Sequence, residues 1–365
     1  MAANQSAPEA QPYPPYSYTA VQMAIRAAIE LNVFNILAKS GPVGTQLSAA
    51  QIASNIPTNN LNAATFLNRI LRYLAINSYL TTSLPPGSAV EDNRLYGLTL
   101  HTANMLVNID PLGELTTMVS SLLLLNTEME VLAGFYRLKD AVLDPRGPVS
   151  AFEAAHGVGV YEYIAERPCS RLAVLFNQSM GRSTTLFFDN VLRAYGCVFD
   201  GAMEVLDVGG NAGAALERII SVWPDVKGVN FDLPHVISRA PFIEGVTHVA
   251  GDMFESLPDS KTILLKWVLH NWSDEQCLKL LKNCWRALPE EGGKVIVLEF
   301  VIPQDLERTD RAAVDAITLD FIMMALYGGK ERTEAEFRDL AMAAGFISVS
   351  VVPVGDGIHV LELVK

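Results

Sequence analysis

The sequence predicts an α/β protein in two parts, a helical N-terminal domain followed by a doubly wound parallel sheet. Three observations predict this fold. The length of 365 residues suggests two domains, at about 150 residues per domain. Up to residue 195 the apolar residues recur mainly at helical spacing. From Glu204 onward, short apolar runs alternate with helical stretches, which is typical of parallel strands crossed by helices.

The composition excludes several classes of protein. Half of the residues are apolar and 18% are charged, which favours large buried cores and excludes a disordered chain. The net charge of −13 argues against general binding of nucleic acids, because phosphates would be repelled. No run reaches the about 20 apolar residues of a membrane span, and residues 1–16 match neither a secretory signal nor a transit peptide. We therefore expect a cytoplasmic protein with no membrane contact and a mobile, Pro-rich arm over 1–16.

The four cysteines are scattered, and none forms a C-x-x-C pair. Cys277 and Cys284 lie seven residues apart in a helical pattern, so both are predicted to face a core. We predict that all four, with Cys169 and Cys197, are buried free thiols in a reducing compartment.

The N-terminal domain is predicted to combine helices with a small hairpin, as a winged helix does. The predicted elements are helices over 18–39, 47–56 and 62–74 and strands over 78–82 and 94–99. Ser48 is the expected N-cap of the second helix. Winged helices often bind DNA, but the helix that would read bases carries only Arg69 and Arg72. Dimerisation or covering of a substrate is therefore the favoured role.

The remaining elements follow the same two patterns. Residues 112–195 are predicted to be mostly helical, with apolar repeats over 122–125, 132–143 and 172–192. The expected strands cover 205–209, 229–233, 247–252, 262–269, 294–301, 347–352 and 359–364, and the expected helices between them cover 214–222, 275–288 and 312–325.

Ligands of a doubly wound sheet bind at the carboxyl ends of its strands, so each strand end is a candidate site. The first strand ends in DVGGNAG, which fits D-x-G-x-x-x-G and lacks the G-x-G-x-x-G dinucleotide fingerprint. Asn211 stands where a middle glycine could, and Asn is the next best residue for a left-handed backbone. By itself this motif is weak, because Gly-rich strand ends are common.

Acidic residues end the next two strands. Asp232 could accept hydrogen bonds from both hydroxyls of a ribose, or it could cap a helix that begins near Pro234. Asp252 could meet an adenine amino group, with Met253 either on the ring face or filling the core. Lys266 is alone in an apolar strand and has either a buried partner or a snorkelling position at a sheet edge.

The strand ends lack a phosphate-binding motif, and two acids without one suit an adenosine that carries no phosphates. S-adenosylmethionine is such a nucleoside, and its sulfonium cation suits an acidic pocket. The cofactor predicted from these residues is therefore S-adenosylmethionine.

A candidate base follows the fourth strand. His270 lies where that strand leaves the sheet, and a histidine is the natural base at neutral pH, although a capped or core histidine is the alternative. Glu299 is a lone carboxylate in the fifth strand, and Glu331 directly precedes a helix. A carboxylate on the imidazole N–H would fix its tautomer, but Glu331 beside Lys330 and Arg332 could equally belong to a solvated charge run.

These residues occur in strings that resemble the plant caffeate/flavonoid-type O-methyltransferases. The strings are LDVGGNAGAAL, GVNFDLPHVI, HVAGDMFESLP, LLKWVLHNWSDEQCLKLLKNCWRALP, GKVIVLEFVIP and GGKERTEAEF. The resemblance implies a class I enzyme that is Rossmann-like, metal-free and homodimeric through its N-terminal domain. It also implies a winged-helix-like dimerisation domain over 17–118 and a methyltransferase domain over 119–365, helical and substrate-lining over 119–195 and cofactor-binding over 196–365.

The resemblance carries roles onto individual positions. It implies that His270 is the general base and that Glu299 and Glu331 are the acids that flank it. The implied cofactor-binding residues are Gly209, Asp232, Leu233, Asp252, Met253 and Lys266. The implied residues around the phenolic ring are Asn126, Phe176, Met180, Ile322 and Met323.

Three departures from the caffeate-type pattern stand out. Asn211 replaces a usual glycine, Ser183 lies in an Arg-Ser-Thr run where those members have Asp-His-Ser, and the loop over 325–327 is one residue shorter. The last two changes affect the acceptor pocket. The expected reaction is methyl transfer to a phenolic hydroxyl of a phenylpropanoid such as caffeate, with a place in lignin biosynthesis. The alternatives are a flavonoid or alkaloid methyltransferase, or a winged-helix regulator that senses S-adenosylmethionine and would need no base.

Overall fold

The computed structural model describes residues 15–87, 93–107, 117–145, 150–305, 311–355 and 357–365. Contacts divide the chain into two units, Met1–Thr127 and Glu128–Lys365. The mobile arm expected over 1–16 lies outside the described residues, apart from its last two. The structural division falls after residue 127, whereas the domain boundary proposed from the sequence falls after 118.

The first unit consists of six helices and a small antiparallel sheet in its described part. The helices are α1 (Pro15–Glu30), α2 (Val33–Lys39), α3 (Ala49–Ala53), α4 (Ala63–Ile76), α5 (Leu100–Leu106) and α6 (Met118–Asn126). The strands β1 (Gln46–Ser48), β2 (Leu80–Ser83) and β3 (Leu95–Leu98) lie in the order β1-β3-β2. The expected hairpin is therefore present, with a further strand that the sequence did not indicate.

Two details of this unit test local predictions. The single helix predicted over 18–39 is wrong: the chain breaks between α1 and α2 at Asn32, whose φ of 60° is left-handed. The Ser48 cap is confirmed, because its hydroxyl accepts the N–H of Gln51 and the Gln51 side chain accepts the N–H of Ser48.

The second unit alternates strands and helices after a helical start. Its helices are α7 (Met129–Phe135), α8 (Leu138–Leu143), α9 (Ala151–His156), α10 (Val160–Glu166), α11 (Arg171–Tyr195), α12 (Ala214–Val222), α13 (Pro234–Ile237), α14 (Asp274–Ala287), α15 (Arg311–Ile322) and α16 (Glu334–Ala344). Its strands are β4 (Glu204–Val208), β5 (Lys227–Asp232), β6 (Val246–Ala250), β7 (Thr262–Lys266), β8 (Lys294–Ile302), β9 (Arg332–Thr333), β10 (Ser348–Gly355) and β11 (Ile358–Val364).

The large sheet has the strand order β10-β11-β8-β7-β4-β5-β6, and β9 pairs with β8. The pairs among β4 to β8 are parallel, which confirms the doubly wound fold. Strand β11 runs antiparallel to both of its neighbours, β8 and β10. A turn too short for a crossover joins β10 to β11, so these two strands must be antiparallel. Strands β4 and β7 are central and buried on both faces, which explains their predominantly apolar sequences.

Two predicted helices of this unit are also corrected. The apolar repeat predicted over 132–143 is helical but is divided between α7 and α8. The helix expected over 312–325 leaves α-helical geometry after Ile322 and continues as a π-helical segment over Met323–Tyr327. π-helical turns of this kind are frequent at functional sites.

The cysteine prediction is correct for two positions. Cys277 and Cys284 are free thiols on α14 that lie in the hydrophobic core. Burial raises the pKa of each thiol to about 12. Cys169 and Cys197 are free but exposed, so the expectation that they are buried is wrong.

Among the described residues, no single helix has the length and apolar character to cross a membrane. Two sharply bent helix pairs, α1 with α2 and α6 with α7, pass that test only when joined.

Candidate active site

A cavity of about 700 Å³ lies at the carboxyl ends of β4, β5 and β7. Helices α10 and α11 form its opposite wall. All six residues implied for the cofactor line it: Gly209, Asp232, Leu233, Asp252, Met253 and Lys266. The sequence-based set is therefore brought together in one place, as the strand-end rule requires.

The loop after β4 takes its shape from three left-handed residues. Gly209, Asn211 and Gly213 have φ values of 74°, 52° and 87°, so Asn211 performs the turn that a glycine usually makes. The Asp232 carboxylate holds this loop, because it accepts the N–H of Asn211 at 2.9 Å and that of Leu233 at 2.7 Å. The side chain of Asp232 does not cap α13, whose N-cap residue is Leu233, so the capping alternative is wrong.

A buried polar layer beneath the loop was missed from the sequence. Asp207 is 2% exposed, and burial raises its pKa to about 7 against the opposing pull of Lys266. Asn230 is fully buried and donates from Nδ2 to the Asn211 carbonyl at 2.9 Å and to His248 Nδ1 at 3.0 Å. The available signal was a polar residue inside each of two apolar strands.

Lys266 ends the central strand β7, which lies between β8 and β4, so the sheet-edge alternative is wrong. Burial lowers its pKa to about 8, against the attraction of Asp207 and Glu299. Its ammonium lies 4.1 Å from the centroid of the Trp267 ring. The cation–π contact and the attraction of these two carboxylates therefore offset part of the energetic cost of burying the Lys266 charge.

Asp252 and Met253 lie just beyond the carboxyl end of β6. Asp252 accepts the N–H of Phe254 at 2.8 Å through Oδ1 and thereby fixes the turn. Met253 packs against the hydrophobic core, which confirms the core interpretation, and it also lines the cavity, so its contact with an adenine ring stays a prediction.

The candidate base lies on a single turn after β7. His270 belongs to a short 3-10 helix, Leu269–Asn271, and is 5% exposed. Its Nδ1 donates to Glu331 Oε1 at 2.7 Å and lies 3.5 Å from Glu299 Oε2. Both glutamate side chains are fully buried. Glu331 is therefore the partner of His270, and the solvated-charge alternative for the Lys330–Arg332 run is wrong for Glu331 and Arg332.

Opposing effects act on the pKa values of His270 and Glu299. Burial disfavours the imidazolium, but the carboxylates of Glu299 and Glu331 outweigh it and raise the pKa of His270 above its ordinary value. Burial likewise raises the pKa of Glu299 against the pull of His270. Glu299 Oε1 also accepts the N–H groups of Val268 at 3.0 Å and Leu269 at 2.9 Å, so this carboxylate anchors the backbone as well.

His270, Glu299 and Glu331 each offer a ligand atom, and these atoms lie within 4.8 Å of one another. The sequence had suggested no such cluster around His270, because the two glutamates are distant along the chain. Hydrogen bonds explain the closeness of these atoms without a metal ion. The proton on His270 Nδ1 is shared with Glu331, and Glu299 Oε1 accepts backbone N–H groups. A metal-free site stays a prediction.

Of the five residues implied for the acceptor, two line the cavity and three do not. Phe176 and Met180 line the cavity from one face of α11. Ile322 and Met323 lie where α15 passes into the π-helical segment, and Asn126 ends α6 in the first unit. His270 itself does not line the cavity, but its neighbours Trp267, Val268, Asn271 and Trp272 do.

An aromatic wall was also missed. Tyr161 of α10 lines the cavity, with its ring centroid 6.0 Å from that of Phe176 and 6.4 Å from that of Trp272. The signal in the sequence was an aromatic residue two positions after His270. Ser183, one of the departures, is buried and donates back to the Ser179 carbonyl of its own helix.

Two family comparisons match most of the chain. Residues 135–347 match the O-methyltransferase domain family, and residues 16–108 match the O-methyltransferase dimerisation domain family. The chain belongs to the O-methyltransferase family. The resemblance stated from the sequence is thereby confirmed, and so are the Rossmann-like methyltransferase fold and the presence of a dimerisation domain.

Curated plant O-methyltransferases are similar over almost the whole chain. (S)-scoulerine 9-O-methyltransferase of Coptis japonica is 44% identical, with 94% of this chain and 86% of the relative covered. Caffeic acid 3-O-methyltransferase of Medicago sativa is 40% identical, with 96% and 92% covered. Relatives this similar therefore have different acceptors.

Among solved O-methyltransferase-like structures, CalO1, a methyltransferase of calicheamicin biosynthesis solved in its SAH-bound form, is 26% identical to this chain. The TM-score is 0.76, and 96% of this chain and 95% of CalO1 are covered. The similarity extends over both units.

Proposed function

We propose that this O-methyltransferase transfers the methyl group of S-adenosylmethionine to a phenolic hydroxyl, with His270 as the general base. The observation that supports this most is the buried His270–Glu331 hydrogen bond of 2.7 Å, on a turn whose neighbours line the strand-end cavity. A protein that only sensed the cofactor would have no use for a base held in this way.

The cavity residues fit the cofactor. Asp232 would accept the ribose hydroxyls, Asp252 would face the adenine amino group, and Met253 would cover the ring. Gly209 and Leu233 would provide backbone and contact surface beside them. The left-handed loop after β4 lets the backbone approach closely, and the carboxylates suit a cation. When bound, S-adenosylmethionine supplies an electrophilic methyl group on a sulfonium.

His270 would take the phenol proton on Nε2, because Nδ1 already donates to Glu331. As that proton leaves, the phenol oxygen bonds to the methyl carbon, and the carbon–sulfur bond breaks with its electrons going to sulfur. The products are a methyl ether, S-adenosylhomocysteine and a protonated His270. Glu299 and Glu331 would stabilise that imidazolium.

The buried carboxylates address the main energetic problem of this step. An unperturbed phenol has a pKa of about 10 and a histidine about 6.5, a gap of roughly 5 kcal/mol. The two glutamates raise the pKa of His270 and so narrow the gap. The remaining cost is lowered if proton transfer overlaps with attack.

The acceptor we propose is a catechol-bearing phenylpropanoid such as caffeate, methylated in lignin biosynthesis in the cytoplasm. The aromatic wall of Tyr161, Phe176 and Trp272 suits a planar ring beside the cofactor residues. A phenolic alkaloid is the second candidate, because a relative named for an alkaloid acceptor is 44% identical.

One assay tests this function. The purified protein is incubated with methyl-labelled S-adenosylmethionine and a panel containing caffeate, a flavonoid catechol and a phenolic alkaloid. Labelled ether from caffeate, at the highest kcat/KM of the panel, is the expected outcome. Preference for another phenol would overturn the acceptor only, whereas no labelled ether from any phenol would overturn the reaction.

We also propose that the protein works as a homodimer through its dimerisation domain. Large apolar side chains on α4 are exposed in the single chain, Phe66 at 60% and Ile76 at 77%. Burial of such residues against a second copy would remove apolar surface from water. Sedimentation at micromolar protein should give a dimer, and Phe66→Glu should shift it toward monomer. A wild-type monomer at that concentration would disprove the assembly.

A further inference from the structure

Arg332 has no part in the proposed function, yet it is the largest fully buried side chain among the described residues. It lies in β9, directly after Glu331, and none of its side chain is exposed. Burial of a guanidinium is costly unless its N–H groups are all satisfied. Asp274, at the start of α14, accepts from Nε at 2.9 Å and from Nη2 at 2.8 Å.

Two further Arg332 bonds go to the turn that carries His270, and a longer one of 3.5 Å runs from Nη1 to the Lys330 carbonyl. Nη1 donates to the Leu269 carbonyl at 3.0 Å, and Nη2 donates to the Trp272 carbonyl at 2.8 Å. These carbonyls lie at the start and just beyond the end of the 3-10 helix. Arg332 therefore adds bonds to two carbonyls of this turn, of which the Leu269 carbonyl also accepts the Trp272 N–H at 3.1 Å.

The opposite end of the turn is held by Glu299. Its Oε1 accepts three consecutive backbone N–H groups, those of Val268, Leu269 and His270, with the third at 3.4 Å. The turn is thus bonded through its N–H groups to an acid of β8 and through its carbonyls to a cation of β9.

The segment before Arg332 is docked on the same turn. The Lys330 N–H donates to the His270 carbonyl at 2.9 Å. Gly329 packs so closely that a Cβ there would overlap that carbonyl oxygen. Residues 329–332 therefore carry Glu331 as one unit against the His270 turn.

We propose that Arg332 is a positioning residue for methyl transfer, which holds the His270 turn at the distance at which Nδ1 meets Glu331. This role rests on the proposed function of His270 as the base. Arg332 does not touch the reacting atoms. It acts through His270, since misplacement of a catalytic group by about 1 Å can lower a rate about 100-fold.

The competing interpretation is that Arg332 only satisfies buried carbonyls and stabilises the fold. That interpretation predicts a lower melting temperature without a specific change in catalysis. The pH profile separates the two. The charged groups that act on His270 are Glu299, Glu331 and Lys266. If loss of Arg332 lengthens the bond between His270 and Glu331, the pKa of His270 falls, because that bond raises it. The acid limb of kcat/KM then moves to lower pH.

Arg332→Met and Arg332→Lys are the test variants, and Arg338→Met is the matched control. Arg338 also bonds one carboxylate twice and one carbonyl, those of Glu334 and Val349, but it does not contact the His270 turn. We expect kcat to fall about 10- to 100-fold in Arg332→Met, with partial recovery in Arg332→Lys. Cofactor affinity measured by calorimetry should change less than about twofold, and the control should keep kcat within about twofold.

A double-mutant cycle makes the failures distinguishable. In a His270→Ala background, Arg332→Met should cost less than about threefold, because the group through which it acts is gone. An equal loss in both backgrounds, or a folded Arg332→Met with wild-type kcat and pH limb, would overturn the role of Arg332 alone. Wild-type turnover in His270→Ala itself would overturn the proposed base, and this role with it.

Asp274→Asn keeps the proposal testable if Arg332→Met does not fold. The Asp274 side chain is 56% exposed, so this change creates no cavity, yet it removes the charge that holds the guanidinium. We expect a severalfold fall in kcat and the same shift of the acid limb to lower pH. Unchanged kcat together with an unchanged limb in Asp274→Asn would overturn the proposal.

Discussion

The second unit contains two polar regions that are built in opposite ways. The proposed cofactor region borders a cavity, and its carboxylate, Asp232, accepts the backbone N–H of Asn211, which lies 21 residues away. The His270 region is buried, and its imidazole bonds a carboxylate 61 residues away. One region is organised by the backbone at neighbouring strand ends, and the other by charges taken out of water. Substitutions in the first region should therefore affect mainly cofactor binding, and substitutions in the second should affect mainly the rate of methyl transfer.

The largest effect is expected at His270. His270→Ala should lower kcat about 10²- to 10⁴-fold with little change in cofactor affinity, because general-base catalysis is lost while the cavity lining stays. Turnover, calorimetry and a melting curve on the same preparation measure this. His101→Ala, an exposed histidine of α5, is the control. A well-folded His270→Ala protein that methylates at near wild-type rate would remove His270 from the mechanism.

The opposite separation is expected at Asp232. Asp232→Ala should weaken S-adenosylmethionine binding by about 100-fold or more, because two charge-assisted hydrogen bonds of about 1.5–3 kcal/mol each are lost. Calorimetry measures the change. Asp225→Ala, an exposed acid between α12 and β5, should bind like wild type. Equal affinity of the Asp232→Ala and wild-type proteins, or binding of NAD instead, would contradict the cofactor assignment.

A smaller effect sharpens the comparison through pH. The base must be neutral, and its pKa is raised in the folded protein, so wild-type kcat/KM should rise with pH through a limb above 6.5. Glu331→Gln removes one raising charge, so the limb should move to lower pH while kcat falls about 10-fold as the imidazolium loses its counter-charge. Profiles of the two proteins measure both changes. A limb that stays in place would show that Glu331 does not act on the titrating group.

The smallest effect is expected from metal removal. Excess EDTA should leave turnover unchanged, since the proton on Nδ1 and the backbone bonds to Glu299 explain the cluster without an ion. Turnover with and without EDTA measures this, with added Mg²⁺ as the control. Loss of activity that Mg²⁺ restores would replace the base mechanism with a metal-assisted one.

Local rules predicted much of the second unit. The strand and helix alternation and the strand-end acids followed from apolar runs and from the position of each run's last residue. The breaks at Asn32 and after Ile322 did not, because helical periodicity continues across both. The first depends on one left-handed residue, and the second on a π-helical turn.

The fold class could be predicted from the amino-acid sequence, and so could the candidate strand-end residues and the candidates His270, Glu299 and Glu331, because apolar periodicity and isolated polar residues are local features. Which charged side chains are buried became clear only from the three-dimensional fold. Glu331 and Arg332 belong to a run that looks solvated, yet β9 packs them against the His270 turn. Asp207 and Asn230 form one polar layer because they are directly paired between β4 and β5. The burial of a side chain and the distance to its partner depend on contacts between residues far apart in the chain, and no local pattern encodes these contacts.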